Sequence, residues 1–184
     1  QSLGFSEAVI RLAERYGLEV KAADEEDAAQ FEAERKEKAQ LFAQREEQLA
    51  TFTGKVWDSP ALQYLLDRGL TYETIEEWNL GWNGSRVMFP LLDPQGRVVA
   101  FTGRVLDDSK PKYKNSCNDL IYQKASMIFG LDKAKEAIVK TGQVIITEGQ
   151  FDVIRCWQEG IRNMVAVSGS SLTKQMIDTL IRSY

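Results

Sequence analysis

An α+β fold is predicted for this chain, and three observations predict it. Up to about residue 83, apolar residues recur at helical spacing between capping and glycine signals. From Gly84 the period changes to that of strands, around a proline–glycine turn. The last third then alternates apolar β-branched runs with helical patterns, the signature of a parallel sheet.

The elements follow in order. Ser6 reads as an N-cap for a first helix with the stripe Val9, Ile10, Leu12, Ala13 and Tyr16, ended by Gly17. Residues 24–50 are rich in Glu, Ala, Gln, Lys and Arg, with Phe31, Leu41, Phe42 and Leu49 as anchors. They predict a long solvated helix, broken at Thr53-Gly54; a sustained heptad is missing, so its charge run reads as a solvated face rather than a coiled coil. Ser59-Pro60 opens a short helix, Thr71 caps another, and Arg68-Gly69-Leu70 joins them as an αα-hairpin. Glu73, Glu76 and Glu77 on the second helix would repel phosphate, which excludes a DNA-reading helix-turn-helix there. Residues 86–92 and 97–105 predict a β-hairpin around Asp93-Pro94-Gln95-Gly96. Leu120, Ile121 and Tyr122 predict a short strand, and Asp132 caps a helix bearing Ala134, Ala137 and Ile138.

Composition narrows the chemistry. With 184 residues, 43% hydrophobic, there is chain enough for one or two cores. The absence of histidine excludes a His general base and His-containing zinc sites. Cys117 and Cys156 form no CxxC pair and are too few for a four-sulfur zinc site, so they read as reduced thiols of a cytoplasmic protein. No apolar run reaches the length of a membrane span and no leader-like segment opens the chain. A net charge of −4 and a pI near 5.1 argue against a generally basic nucleic-acid binder. The charge is segregated, however. Between Gly84 and Lys140, ten Lys or Arg oppose six acids, a segment of +4 in a chain whose remainder is −8. Such a local basic face fits a phosphate-bearing partner. Within it Lys110, Lys112 and Lys114 alternate with Pro111 and Tyr113, which in an extended loop aligns three ammoniums and leaves Tyr113 to stack on a base. The same pattern also fits a hydrated loop.

The stretch Gln143-Val-Ile-Ile-Thr-Glu148-Gly149-Gln-Phe-Asp152-Val153-Ile154 is the candidate site. Val144, Ile145 and Ile146 predict a strand buried on both faces, Gly149 a sharp turn into a helix, and Gly160 its end. Glu148 then lies at the carboxyl end of a buried strand, where open α/β sheets place ligands, although a solvated loop glutamate fits the local pattern as well. Glu148 and Asp152 together suit a hard divalent cation, but two-metal phosphoryl chemistry needs more acids. Ser168-Gly169-Ser170, after the buried run Met164–Val167, reads as a tight turn; without histidine or a G-x-S-x-G elbow it is no nucleophile.

Several of these segments together resemble a known family. Arg86-Val-Met-Phe-Pro, Gly96-Arg-Val-Val-Ala-Phe-Thr-Gly-Arg104-Val, Lys110-Pro-Lys-Tyr-Lys-Asn-Ser116, Gly130-Leu131 and Glu148-Gly-Gln-Phe-Asp-Val153 resemble, in order and spacing, the RNA polymerase core of bacterial DNA primases of the DnaG type. Tyr64-Leu-Leu-Asp-Arg-Gly-Leu70 is similar to the segment following that family's zinc domain. The resemblance implies a nucleotidyltransferase making short RNA primers from ribonucleoside triphosphates on single-stranded DNA, in the cytoplasm and off the membrane. It implies a helical part at residues 1–83, a β-hairpin and basic-loop part at 84–140, and an incomplete α/β TOPRIM fold at 141–184. It makes Glu148 catalytic and a metal ligand, and Asp152 a further ligand of Mg²⁺ or Mn²⁺. Arg104, Lys112, Tyr113, Asn115 and Lys124 match its nucleic-acid or nucleotide ridge, to which the local basic run adds Arg86, Lys110 and Lys114. It places zinc only in a domain before Gln1, an Asp-x-Asp metal strand after Tyr184, and contact with the replicative helicase in a further C-terminal domain. An isolated chain of this extent is therefore expected to be inactive or nearly so. A non-catalytic single-strand binder, a topoisomerase or a phage primase–helicase are the competing expectations. Gln150-Phe151 departs from the aromatic–Met pair common in the family.

Overall fold

Period changes in the sequence become element boundaries in the computed structural model of the chain, which describes residues 12–13, 15–17, 25–167 and 171–182. Residues 1–37 and 38–184 form two compact units. In the first, the Tyr16 N–H donates to Leu12 O and Ala13 O, and Gly17 takes φ 65° as the predicted stop. Ser6, Val9 and Ile10 lie outside the described residues.

Helix α1, Glu25–Val56, is continuous and runs through Thr53-Gly54, where a break was predicted. A helical glycine costs only about 1 kcal/mol, and burial outweighs it here. Val56 is fully buried, and Phe52 packs so closely on Gly81 that a Cβ there would stand 2.5 Å from Phe52 Cβ. Helices α2, Pro60–Asp67, and α3, Tyr72–Glu77, start as the caps predict. Ser59 Oγ accepts from Ala61 N–H (3.2 Å) and Thr71 Oγ1 from Thr74 N–H (3.2 Å), with Gly69 turning the chain between them at φ 79°.

Four strands follow: β1 Gly81–Trp82, β2 Val87–Leu92, β3 Val98–Arg104 and β4 Tyr113–Asn115, antiparallel in the order β1-β2-β3-β4. The predicted hairpin is β2–β3, closed by Asp93, whose Oδ1 accepts from the N–H groups of Gln95 and Arg97. Val87, Phe89 and Leu91 enter the main core with Leu65, Ile75, Trp78 and Ile154, whereas Met88, Val98 and Phe101 pack with Leu49 and Phe52 of α1. Every residue of β3 is buried, because it is paired on both edges and covered on both faces. Residues 120–122 form no strand. Asp119 Oδ1 instead accepts from the N–H groups of Ile121 (3.0 Å) and Tyr122 (2.9 Å), a local turn that competes with strand pairing. Burial pushes the Tyr122 hydroxyl up to about 12.

The remainder is α4 Leu131–Thr141, β5 Ile145–Thr147, α5 Gln150–Gln158, β6 Met164–Ala166 and α6 Lys174–Arg182. Asp132 does not cap α4. Gly130 holds that position at φ 80°, and Asp132 falls in the first turn. Strands β5 and β6 are parallel, as predicted, in register Ile145↔Met164. β5 is not buried on both faces: Ile145 and Ile146 are 42% and 40% exposed. Among the described residues it pairs with β6 alone, so it lacks the flanking strands and covering layers that bury a central strand. β6 is better covered, lying between β5 and a bridge to Phe129. The predicted turn at Ser168-Gly169 lies outside the described residues. No described helix is long and apolar enough to cross a membrane.

Candidate nucleic-acid and metal site

The end of β5 places the first group. Glu148 follows Thr147 directly and is exposed. Gly149 does not turn the chain through a left-handed conformation, as expected, since its φ of −112° and ψ of 141° are ordinary extended values. Its role is steric: a Cβ would stand 3.0 Å from Asp152 Oδ2. Asp152, in the first turn of α5, lies over Gly149 and accepts a hydrogen bond from Thr147 Oγ1 at 3.0 Å. Strand end and helix start thus fix one carboxylate beside the position that carries the other. Hard oxygen donors of this kind suit Mg²⁺ or Mn²⁺. Among the described residues, however, no group of three or more Asp, Glu, His or Cys is placed to hold a metal.

The second part lies at the far end of β3. Register pairs Arg104 with Tyr113 and Thr102 with Asn115, so these four side chains share one face of the sheet, while Lys114 pairs with Gly103 on the other. This corrects the picture of an extended lysine loop with Tyr113 standing free. Only residues 113–115 are strand, and the Tyr113 ring lies 5.3 Å from the Arg104 guanidinium. Burial raises the Tyr113 hydroxyl above its usual range; the Arg104 charge opposes this, and Asp152 adds to it. That coupling brings the carboxylate and the arginine within electrostatic reach of one ring. Asn115 Oδ1 accepts from Thr102 Oγ1 at 2.7 Å, which fixes β4 on β3.

Arg104 itself is 8% exposed, and its Nε and Nη1 are buried without a hydrogen-bond partner. Three rings surround the guanidinium: Tyr113, Tyr64 at 5.5 Å and Phe151 at 5.7 Å. Burying an unpaired cation costs several kcal/mol, of which cation–π contacts return about 0.5–2 kcal/mol each. Arg68 approaches the same two rings, 5.2 Å from Tyr64 and 5.1 Å from Phe151. Sequence reading missed Arg68. The available signal was its spacing, four residues after Tyr64 at the end of one helix.

The other predicted residues divide. Arg86 Nη1 donates to the carbonyls of Gly103, Pro111 and Lys112 (3.4, 3.1 and 3.3 Å) and so ties the basic loop to the sheet. Lys112 Nζ pairs with Asp108 Oδ1 at 2.9 Å, and that hydrogen bond holds the Asp108 carboxyl below its ordinary range. Lys110, Lys114 and Lys124 are exposed.

Comparison with known proteins identifies the family. Residues 82–135 match the N-terminal domain of the DNA primase catalytic core and residues 142–184 match the Toprim domain, together more than half of the chain. The DNA primase of Deinococcus radiodurans is 32% identical over 222 residues, spanning 99% of this chain and 37% of that protein. That of Enterococcus faecalis is 36% identical over 168 residues, 67% of this chain and 27% of the relative. The chain thus spans about a third of the length of these curated relatives. Among solved structures, the zinc-binding and RNA polymerase domains of Aquifex aeolicus primase superpose with TM-score 0.72 at 26% identity, covering 98% of this chain and 52% of that one. A DnaG primase catalytic domain bound to single-stranded DNA gives 0.70 at 28% identity, covering 79% and 61%. With the two primase domains matched in order and a 32% identical DNA primase spanning 99% of it, the chain belongs to the family of DnaG-type bacterial DNA primases.

Proposed function

We propose that these residues serve template-directed synthesis of short RNA primers on single-stranded DNA, as part of the catalytic core of a DNA primase. One observation carries the reading: Arg104, whose Nε and Nη1 are buried without hydrogen-bond partners, lies 5.7 Å from the ring of Phe151 on the helix that carries Asp152 and follows Glu148. Phosphate oxygens need cationic donors, and phosphoryl transfer needs charge neutralisation by metal beside them. Candidate donors for both lie on adjacent elements, which supports the reading. The relatives named DNA primase, and the solved relative described as bound to single-stranded DNA, support the substrate class.

Glu148 would hold the metal and act at the reacting atoms, with Asp152 as a second oxygen ligand. A bound Mg²⁺ or Mn²⁺ supplies neutralisation of phosphate charge. Arg104 and Arg68 would meet phosphate on one face of the sheet, with Tyr113 and Asn115 beside them. Lys110, Lys112, Lys114 and Lys124 would widen the basic surface, and Arg86 would hold the loop that carries three of them. A division near residues 83 and 140 would separate a mainly helical support that also supplies β1, the rest of the basic sheet, and the α/β element with the candidate metal ligands. Two carboxylates do not make a two-metal site, so the remaining ligands would come from elsewhere in the parent protein. So would contact with the replicative helicase.

The test is primer synthesis by the full-length protein with ribonucleoside triphosphates and Mg²⁺. Glu148→Gln should lower the rate by about 100-fold or more, without loss of single-strand binding; an unchanged rate removes Glu148 from the chemistry. The 184-residue chain alone should bind single strands weakly and extend no primer. Extension at the rate of the full-length protein would show that the two carboxylates suffice.

A further inference from the structure

Phe151 lies between the two acids of the candidate site, and its surroundings give it a task. It occupies the first turn of α5, one residue before Asp152 and three after Glu148. Its ring is half-buried against Phe89, at a centroid distance of 5.1 Å and 82° between planes, and meets Tyr64 edge-on at 6.2 Å. Two anchored rings of this kind are rigid. Both guanidiniums of the site, Arg68 and Arg104, lie within 6 Å of both ring centroids. Neither arginine has an acidic partner among the ion pairs of the described residues. Arg104, moreover, has no backbone or side-chain acceptor for two of its buried nitrogens. Two like charges brought together without a direct ion pair repel, and the rings they share oppose their separation. Aromatic faces supply that opposition while leaving the hydrogen-bonding capacity of the guanidiniums unspent.

We propose that Phe151 is a positioning residue: with Tyr64, its ring holds the guanidiniums of Arg68 and Arg104 together as one anion-binding pair, and thereby couples phosphate binding to the helix that presents Asp152. The proposal rests on the phosphate-binding reading of Arg104 given above. Phe151 touches no substrate in this role. It acts through the two arginines. An aliphatic residue of similar size would fill the same volume but would not hold the cations, so the effect of the ring is separable from packing.

The test uses the 184-residue chain and a short fluorescein-labelled oligodeoxythymidylate, with anisotropy read as a function of salt. Phe151→Leu should weaken binding about fivefold and flatten the log–log salt dependence, because fewer phosphates are engaged. Phe151→Tyr, which keeps the ring, should retain the parent affinity and slope. In the Arg68→Ala, Arg104→Ala background, Phe151→Leu should have no further effect. The inference is overturned if Phe151→Leu binds like the parent, if Phe151→Tyr loses as much as Phe151→Leu, or if the loss persists undiminished in the double-alanine background. The two readings fail differently. Parent-like binding by the double-alanine chain removes the phosphate site and this inference with it, whereas loss in that chain with none in Phe151→Leu removes only the role of the ring.

Discussion

Two arginines meet strand β3, one partly and one fully buried, and they are treated in opposite ways. Arg45, on α1, donates from Nε to Val99 O (3.1 Å) and from Nη2 to Asp119 Oδ2 (2.7 Å), with Gln44 and Gln48 on Nη1. Its side chain is 13% exposed. Arg104, at the other end of the strand, is 8% exposed, yet its Nε and Nη1 have no hydrogen-bond partner and three aromatic rings lie within 6 Å of its guanidinium. Desolvating each cation costs several kcal/mol. At Arg45 the ion pair and a backbone carbonyl offset that cost within the fold, whereas at Arg104 the fold carries it. The difference separates a charge that builds the molecule from one held ready for a partner outside it.

The sharpest way to break this comparison is Arg45→Met. Removing one member of a partly buried pair leaves Asp119 without its cation and the Val99 carbonyl without its donor, and should cost about 2 kcal/mol, read as a shift in the urea midpoint. Single-strand affinity of the folded fraction should not change. An unmoved midpoint would show that Arg45 is as idle in the fold as Arg104. The companion substitution, Arg104→Met, should do the reverse. Affinity for single-stranded DNA should fall about tenfold, the worth of one charge-assisted hydrogen bond. Stability should be unchanged or rise by about 1 kcal/mol, since an apolar side chain replaces an unpaired buried charge. A loss of stability comparable to that of Arg45→Met would mean that the ring contacts at Arg104 are structural.

What the sequence disclosed follows from how local each signal is. Ser59-Pro60, Thr71 and the Asp93–Gly96 turn were legible because a cap or turn is decided within a few residues. The parallel pairing of β5 with β6 was legible from two apolar runs around a helix. Gly54 misled, since its helical penalty is local but the packing of Phe52 on Gly81 that overrides it is not. Residues 120–122 misled because the Asp119 side chain captures two backbone N–H groups that strand propensity takes to be free. At the site, Arg104 and Tyr113 were named singly from motif and charge. Their apposition needed the β3–β4 register, and Arg68 needed a tertiary contact between α2 and α5 that no period in the sequence carries.

Carboxylates extend the comparison, with a smaller effect. Asp119 has Arg45 as its partner, whereas burial pushes the Asp132 carboxyl above its ordinary range, against the opposing pull of Lys133 and Lys135. A group whose folded pKa lies above its unfolded value, about 3.9 for Asp, is held more tightly as the protonated form in the fold. Its stabilising contribution is therefore full below that unfolded value and is lost as pH rises through the folded one. At neutral pH Asp132 carries a charge that burial disfavours. Asp132→Asn should raise the melting temperature there, and the gain should vanish in acid, where both side chains are neutral. The position also lies in the first turn of α4, where a negative charge gains about 0.5 kcal/mol from the helix dipole. The sign of the substitution decides which effect is larger. A variant less stable than the parent at neutral pH would make Asp132 a second Asp119, a buried charge already compensated by the fold, and would confine the uncompensated class to Arg104.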